Sequence, residues 1–326
     1  MRHIALALAV AGLALAVFLF AREDVPSIFA LVVAAGPGLV LAALCHVPRM
    51  FVNARAWQRL LPATLRPSLP AMARATWIKE SINSLLPVAR VGGEIVVYRI
   101  VRRPGGHSEA AASLIADTAL SVLSQACFAL LGLTLLFAIG RSPAFATQLL
   151  FGVLGMIPLG AGFLLVQRAG VLSAITHMLD RLFAGPFGTA HAHSLRLDQA
   201  LQTLHERHRD VAACFAWQFI AWVLGSVEIW VALRFLGQHR SVLDAITIEA
   251  LIQAVSSAAF LVPAALGVQE GAFIVIGAAL GIDASTALAL ATARRLRDVI
   301  IFFPGLLAWQ WAEARMRSVT SPGDPQ

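Results

Sequence analysis

Ser84-Leu85-Leu86-Pro87-Val88-Ala89-Arg90-Val91-Gly92-Gly93-Glu94 and Phe260-Leu261-Val262-Pro263-Ala264-Ala265-Leu266-Gly267-Val268-Gln269-Glu270 are two versions of one pattern. In each a proline precedes a glutamate by seven positions, and both anchors are displaced by 176 residues. Downstream, Gly106 and the alanines at 110–112 correspond loosely to Gly281 and the alanine-rich stretch 287–291, each opening a long helix. Two anchors and a matching layout point to an internal repeat. Each copy predicts a short apolar helix, a break at proline, and a second short helix from Gly92 or Gly267. A bilayer takes about 20 apolar residues to cross, and neither half is that long. The expectation is two re-entrant helical hairpins. The alternative is that Pro87 and Pro263 merely kink ordinary helices while the glycines permit close packing.

Working outward, the composition sets the solvent. Of 326 residues 59% are hydrophobic and 13% charged, with a mean hydropathy of +0.77; a soluble domain carries about 25% charged residues. This predicts an all-α integral membrane protein, one membrane domain over 1–326. No polar stretch is long enough for a separate catalytic domain. Cys45, Cys127 and Cys214 lie in apolar runs without metal-ligand spacing, so neither disulfide, metal nor cofactor is expected. The apolar runs 4–20, 28–47, 113–139, 148–167, 211–236 and 284–311 read as six transmembrane helices. The first has a poor cleavage site at Leu19-Phe20-Ala21 and reads as an uncleaved helix.

The net charge of +7 follows from topology rather than from nucleic-acid binding. With both termini cytoplasmic, 17 basic residues fall in cytoplasmic loops and four outside, as the positive-inside rule requires. Stretches 48–76 and 168–210 read as interfacial amphipathic segments, and 312–326 as a cytoplasmic tail. The histidines clustered in the second stretch, His191 and His193 among them, read as solvated surface. Three crossings separate the repeats, about 76–139 and 245–311, so the second would be inverted relative to the first. Broken backbone at membrane depth needs cover from protein or a water-filled cavity. Paired breaks in inverted halves point to a transporter's substrate site.

Glu94, Asp117, Glu228, Glu270, Asp298 and the Arg294, Arg295, Arg297 cluster are the charges this pattern buries. Each costs about 2.5–3.5 kcal/mol at a helix centre on insertion scales, so they should face one another or a polar cavity. Glu94 and Glu270 open helices, where the dipole favours an anion; Arg294 and Asp298, four apart, are spaced so that they could neutralise each other locally. The expected substrate path comprises Pro87, Arg90, Gly92, Gly93, Glu94, Asp117, Pro263, Gly267, Gln269, Glu270, Arg294, Arg295 and Asp298. No zinc, nucleophile-elbow or phosphate-loop motif is present, and no catalytic residue is assigned.

These same residues carry a resemblance. SLLPVARVGGE at 84–94, Asp117 with Ser124-Gln125, LGVQEG at 266–271, the run Arg294-Arg295-Leu296-Arg297-Asp298 and Phe303-Pro304-Gly305 resemble the flippase-like family related to the lysylphosphatidylglycerol synthase transmembrane region. They look closest to its hopanoid-associated HpnL branch. The resemblance implies a bacterial inner-membrane protein that moves a lipid, a hopanoid or a relative, between leaflets or toward the outer membrane, beside lipid-transport or biosynthesis proteins. The aminoacyl-transfer domain of the synthases has no counterpart here. A membrane-embedded enzyme or assembly factor acting on a polyprenyl or triterpenoid lipid is the second reading.

Overall fold

The computed structural model describes residues 2–86, 92–101, 106–139, 199–204, 206–259, 262 and 265–320. The expected span at 148–167, most of the 168–210 loop with His191 and His193, and Pro87, Arg90 and Pro263 lie outside the described residues. Among those residues the secondary structure is helical, without strands. In chain order the helices are α1 (Arg2–Arg22), α2 (Val25–Ala35), α3 (Pro37–Leu44), α4 (His46–Leu60), α5 (Leu69–Leu85), α6 (Gly92–Val101) and α7 (His107–Ile139). They are followed by α8 (His208–Phe235), α9 (Val242–Ala258), α10 (Val268–Ala279), α11 (Ala284–Arg297), a π-helical turn at Asp298–Phe302, and α12 (Phe303–Thr320).

Three segments are long and apolar enough to cross a membrane: Pro37–Leu60, His107–Ala138 and His208–Phe235. The chain is a multi-pass membrane protein. Its outer surface is what lipid would require: Val17, Phe29, Val33, Leu41 and Leu307 are all more than half exposed. In water such a surface would mark a liability, whereas hydrocarbon solvates it.

The structure shifts two expected boundaries. The run 28–47 is not one helix, because it divides at Gly36, which has φ +46 and is followed by Pro37. The apolar segment starting at Pro37 then continues through α4, into the stretch read as interfacial. Arg49 explains this: it is buried and paired with Glu249 at 3.1 Å, so it has no need of the interface. Segment 284–311, read as one regular span, is a helix from Ala284 to Thr320 with a π turn at its middle.

The helix order recurs. α5 and α9 are 17 residues each, α6 and α10 are 10 and 12, and a long helix follows both times: α7, or α11 running through the π turn into α12. Both first helices end before the proline, consistent with its bias against helical backbone in the residue preceding it. A core of Leu39, Leu133, Ile229, Leu233, Ile248, Leu251, Phe273 and Leu288 joins α3, α7, α8, α9, α10 and α11. A second core of Trp57, Leu60, Met72, Val97 and Leu114 seats α5 and α6 on α4 and α7.

Local signals set the starts of α9 and α11. Ser241 caps α9 by accepting from the Asp244 N–H at 3.1 Å, while Asp244 Oδ2 accepts from the Ser241 N–H, also at 3.1 Å. This reciprocal box satisfies two otherwise orphaned donors. Asp283 caps α11 through the Thr286 N–H at 2.9 Å and its hydroxyl at 2.7 Å. Partial burial pushes the Asp283 carboxyl up, but the Thr286 bonds outweigh it and hold the group below its ordinary range.

Candidate functional site

After the second break the backbone takes two left-handed turns, at Ala265 with φ +48 and at Gly267 with φ +73. Gly267 is the residue before α10, whose first turn is Val268-Gln269-Glu270. This start is covered by α1: a Cβ on Gly12 would stand 2.7 Å from the Leu266 carbonyl oxygen. The two glycines let backbone meet backbone, which covers polar groups that hydrocarbon would leave unpaired. Glu270 is buried; its Oε1 accepts from Arg295 Nε at 3.0 Å and Nη2 at 2.8 Å. Its other oxygen, Oε2, is buried without a partner. The Arg295 side chain is 27% exposed. Gln269, beside it, reaches toward Ser256 at 3.5 Å.

In the first copy Asn83 of α5 spans the break. Its amide nitrogen donates to both Glu94 oxygens at 3.2 and 3.1 Å, and its carbonyl accepts from the Gly93 N–H at 2.9 Å. One amide thus ties the end of α5 to the first turn of α6, which begins at Gly92. Four residues before Asn83, Lys79 binds Asp117 of α7 at 3.1 Å. Asp117 Oδ1 also accepts from Gln218 of α8 at 2.7 Å.

A buried ionic cluster joins α4, α5, α8, α9 and α11. Glu249 of α9, fully buried, accepts from Arg49 on Oε1 and from Arg294 on Oε2, and Gln253 donates to Oε1 at 2.8 Å. Arg49 also lies over the Trp222 ring at 4.4 Å. Beside it, Glu228 faces His46 at 3.1 Å and Arg297 at 3.5 Å, Arg297 reaches Asp298 at 3.0 Å, and His46 stands 3.7 Å from Glu80. Gly225 makes room, since a Cβ there would stand 2.5 Å from Arg49 Nη1 and 3.1 Å from Glu249 Oε1. The π turn follows immediately, and Trp77 of α5 donates its indole N–H to the Ile301 carbonyl at 2.7 Å. Such turns cluster at functional sites.

Asp117 and Arg294 are each the eleventh residue of their helix, α7 and α11. Each pairs with a residue two helices earlier in the chain, Asp117 with Lys79 of α5 and Arg294 with Glu249 of α9.

The structure therefore brings Glu270 to Arg295, Gly93 to Glu94 through Asn83, and Asp117 to Lys79. The local pairing that the spacing allowed is not the one formed. Arg294 does not neutralise Asp298 along its own helix; Arg294 turns inward to Glu249, and Asp298 takes the adjacent Arg297. The tertiary partner wins because a buried carboxylate without a cation costs more than a local pair at a helix surface gains. Sequence reasoning missed His46, Arg49, Glu80 and Glu249. Glu249 carried a signal, a lone acid in the apolar run Ile246-Thr247-Ile248-Glu249-Ala250-Leu251-Ile252. His46 and Arg49 carried less, standing where an apolar run ends and charges are ordinary.

The family model described as the lysylphosphatidylglycerol synthase TM region matches residues 4–305. No curated protein and no solved structure matches the chain.

Proposed function

Because the chain belongs to the family of the lysylphosphatidylglycerol synthase transmembrane region, we propose that it is a flippase-like lipid carrier of the bacterial inner membrane. Both termini face the cytoplasm, and the cargo is a hopanoid or related lipid passed between leaflets or onward toward the outer membrane. On this reading the two copies are inverted re-entrant hairpins whose broken ends meet a polar path.

The observation that carries the reading is Glu270. Arg49, Arg294 and Arg297 each leave a buried Nε without a partner, but among the described buried carboxylates it is Glu270 that keeps an oxygen so, at the start of the helix after the break. Its cation, Arg295, is partly exposed. A headgroup that donates hydrogen bonds would complete Glu270, and one that accepts them would engage Arg295. Covering the headgroup while the apolar body stays in lipid avoids moving bare polar groups through hydrocarbon, at several kcal/mol each.

Whole-lipid extracts from cells lacking the gene test the class of activity. A carrier leaves every lipid species made and changes where they lie. Loss of one species with accumulation of its precursor would assign an enzymatic role instead.

A further inference from the structure

Three membrane-length segments meet at one cavity: Pro37–Leu60 ends there, and His107–Ala138 and His208–Phe235 begin there. Its volume is about 380 Å³, within the range of small-molecule pockets, about 300–1,000 Å³. The floor is buried and satisfied. Leu60, Ala112 and Leu204 are apolar, and the Ser113 hydroxyl accepts from Trp57 Nε1 at 3.2 Å and donates to the Ala110 carbonyl at 2.9 Å. The rim carries His107, Gln199 and Thr203, all exposed, so the cavity opens to the surface. Among the described residues none of its walls comes from α9, α10 or α11, which separates it from Glu270 and Arg295.

Two charged residues line this space with bonding capacity to spare. Arg207 Nε and Nη2 donate to Asp210 at 3.1 and 2.7 Å, Nη1 to the Leu60 carbonyl at 3.1 Å and Nη2 to the Arg59 carbonyl at 3.0 Å. That places four of the five N–H groups of a guanidinium and leaves one on Nη1. Glu109, in the first turn of α7, makes no hydrogen bond or ion pair with the described residues. The charge behind Arg207 is positive. Burial first, and then the guanidinium groups of Arg207, Arg59 and Arg55, lower the proton affinity of Arg66 against the opposing pull of Asp210, which Arg207 already holds.

The cavity thus sets a free guanidinium N–H, backed by excess positive charge, on one wall and an unpaired carboxylate on another. A ligand complementary to both carries a phosphate and an ammonium group. We propose that the cavity binds a phosphoethanolamine group, its phosphate on Arg207 and its ammonium on Glu109, and that a membrane lipid supplies it. The place of the cavity, at the ends of three membrane segments, lets the acyl chains stay in hydrocarbon while the headgroup enters. The site does not rest on the carrier reading.

Native mass spectrometry of the full-length protein in detergent, with phosphatidylethanolamine or phosphatidylglycerol added, tests it. The wild type should retain phosphatidylethanolamine in preference. Glu109→Gln should weaken that binding about tenfold or more, as loss of a charged hydrogen bond does, and leave phosphatidylglycerol binding as it was. Ala200→Phe, which fills the cavity from a partly exposed wall, should remove the preference as well; size-exclusion profiles show whether each variant folds, and Glu109→Gln decides alone if Ala200→Phe does not. Glycerophosphoethanolamine is the soluble competitor: displacement of the lipid assigns the site to the headgroup from either source, and no displacement assigns it to the lipid. Equal retention of the two lipids by the wild type, or phosphatidylethanolamine retention that Glu109→Gln leaves unchanged, overturns the proposal. Neither result bears on Glu270, whose part is read from lipid partition in cells.

Discussion

Arg49 and Glu249, 200 positions apart in the chain, meet at 3.1 Å with Glu249 wholly shielded from solvent. That contact locks α4 to α9 across α8, and Arg294 closes the other side of the same carboxylate. Removing Arg49 strips Oε1 of its ionic partner and opens a gap where the guanidinium packed, while Arg294 still holds Oε2. Arg49→Leu should lower stability by about 3–5 kcal/mol, the range for breaking a buried pair. Adding Glu249→Gln to it should lower stability further, because Arg294 then loses its carboxylate as well. Melting of detergent-purified protein, followed by size-exclusion chromatography, checks both.

Gly225 is a prediction from space alone. A methyl group there meets the Arg49 guanidinium and the Glu249 carboxylate together, and neither can withdraw without giving up the other. Gly225→Ala should destabilise by about 1–3 kcal/mol, as overpacking does. An unchanged melting temperature would show that the pair has slack.

Ala265 holds a left-handed backbone, at φ +48, in the turn leading into α10. A side chain there costs roughly 1–2 kcal/mol, which glycine avoids while adding about 0.5–1 kcal/mol of unfolded-state entropy. Ala265→Gly should therefore raise the melting temperature slightly rather than lower it.

Asp283 gives a pH dependence of known sign. Its carboxyl is held below the ordinary value by the Thr286 bonds against the opposing effect of burial. Its contribution is present above the unfolded-state value of about 3.9 and is lost as pH falls through the lower folded value. Asp283→Ala should cost about 0.5–2 kcal/mol near neutrality, as loss of a helix cap does, and wild type and variant should converge in acid. Melting curves at pH 7 and pH 3 compare them.

Much of the membrane character was legible because apolar length is a local property. The runs at 113–139 and 211–236 became α7 and α8 within a few residues, and the breaks before Gly92 and Gly267 were written in proline and glycine. The pairing was not legible. Arg294 met two candidate carboxylates, one four residues away and one 45 residues back, and only packing brings Glu249 to it. Arg49 falls in a stretch that reads as interfacial, and its burial against Glu249 depends on a helix 200 residues away that no local pattern shows.

The central claim is that the break before α10 carries a lipid headgroup past Glu270. Inner- against outer-membrane hopanoid content, measured in native cells lacking the gene and complemented with wild type or Glu270→Gln, tests it most directly. The amide keeps the side chain's shape, so the variant protein should be inserted at normal abundance, yet the lipid partition should stay as altered as in the deletion. Normal partition with Glu270→Gln, or a deletion that makes hopanoids and distributes them as wild type does, would contradict it.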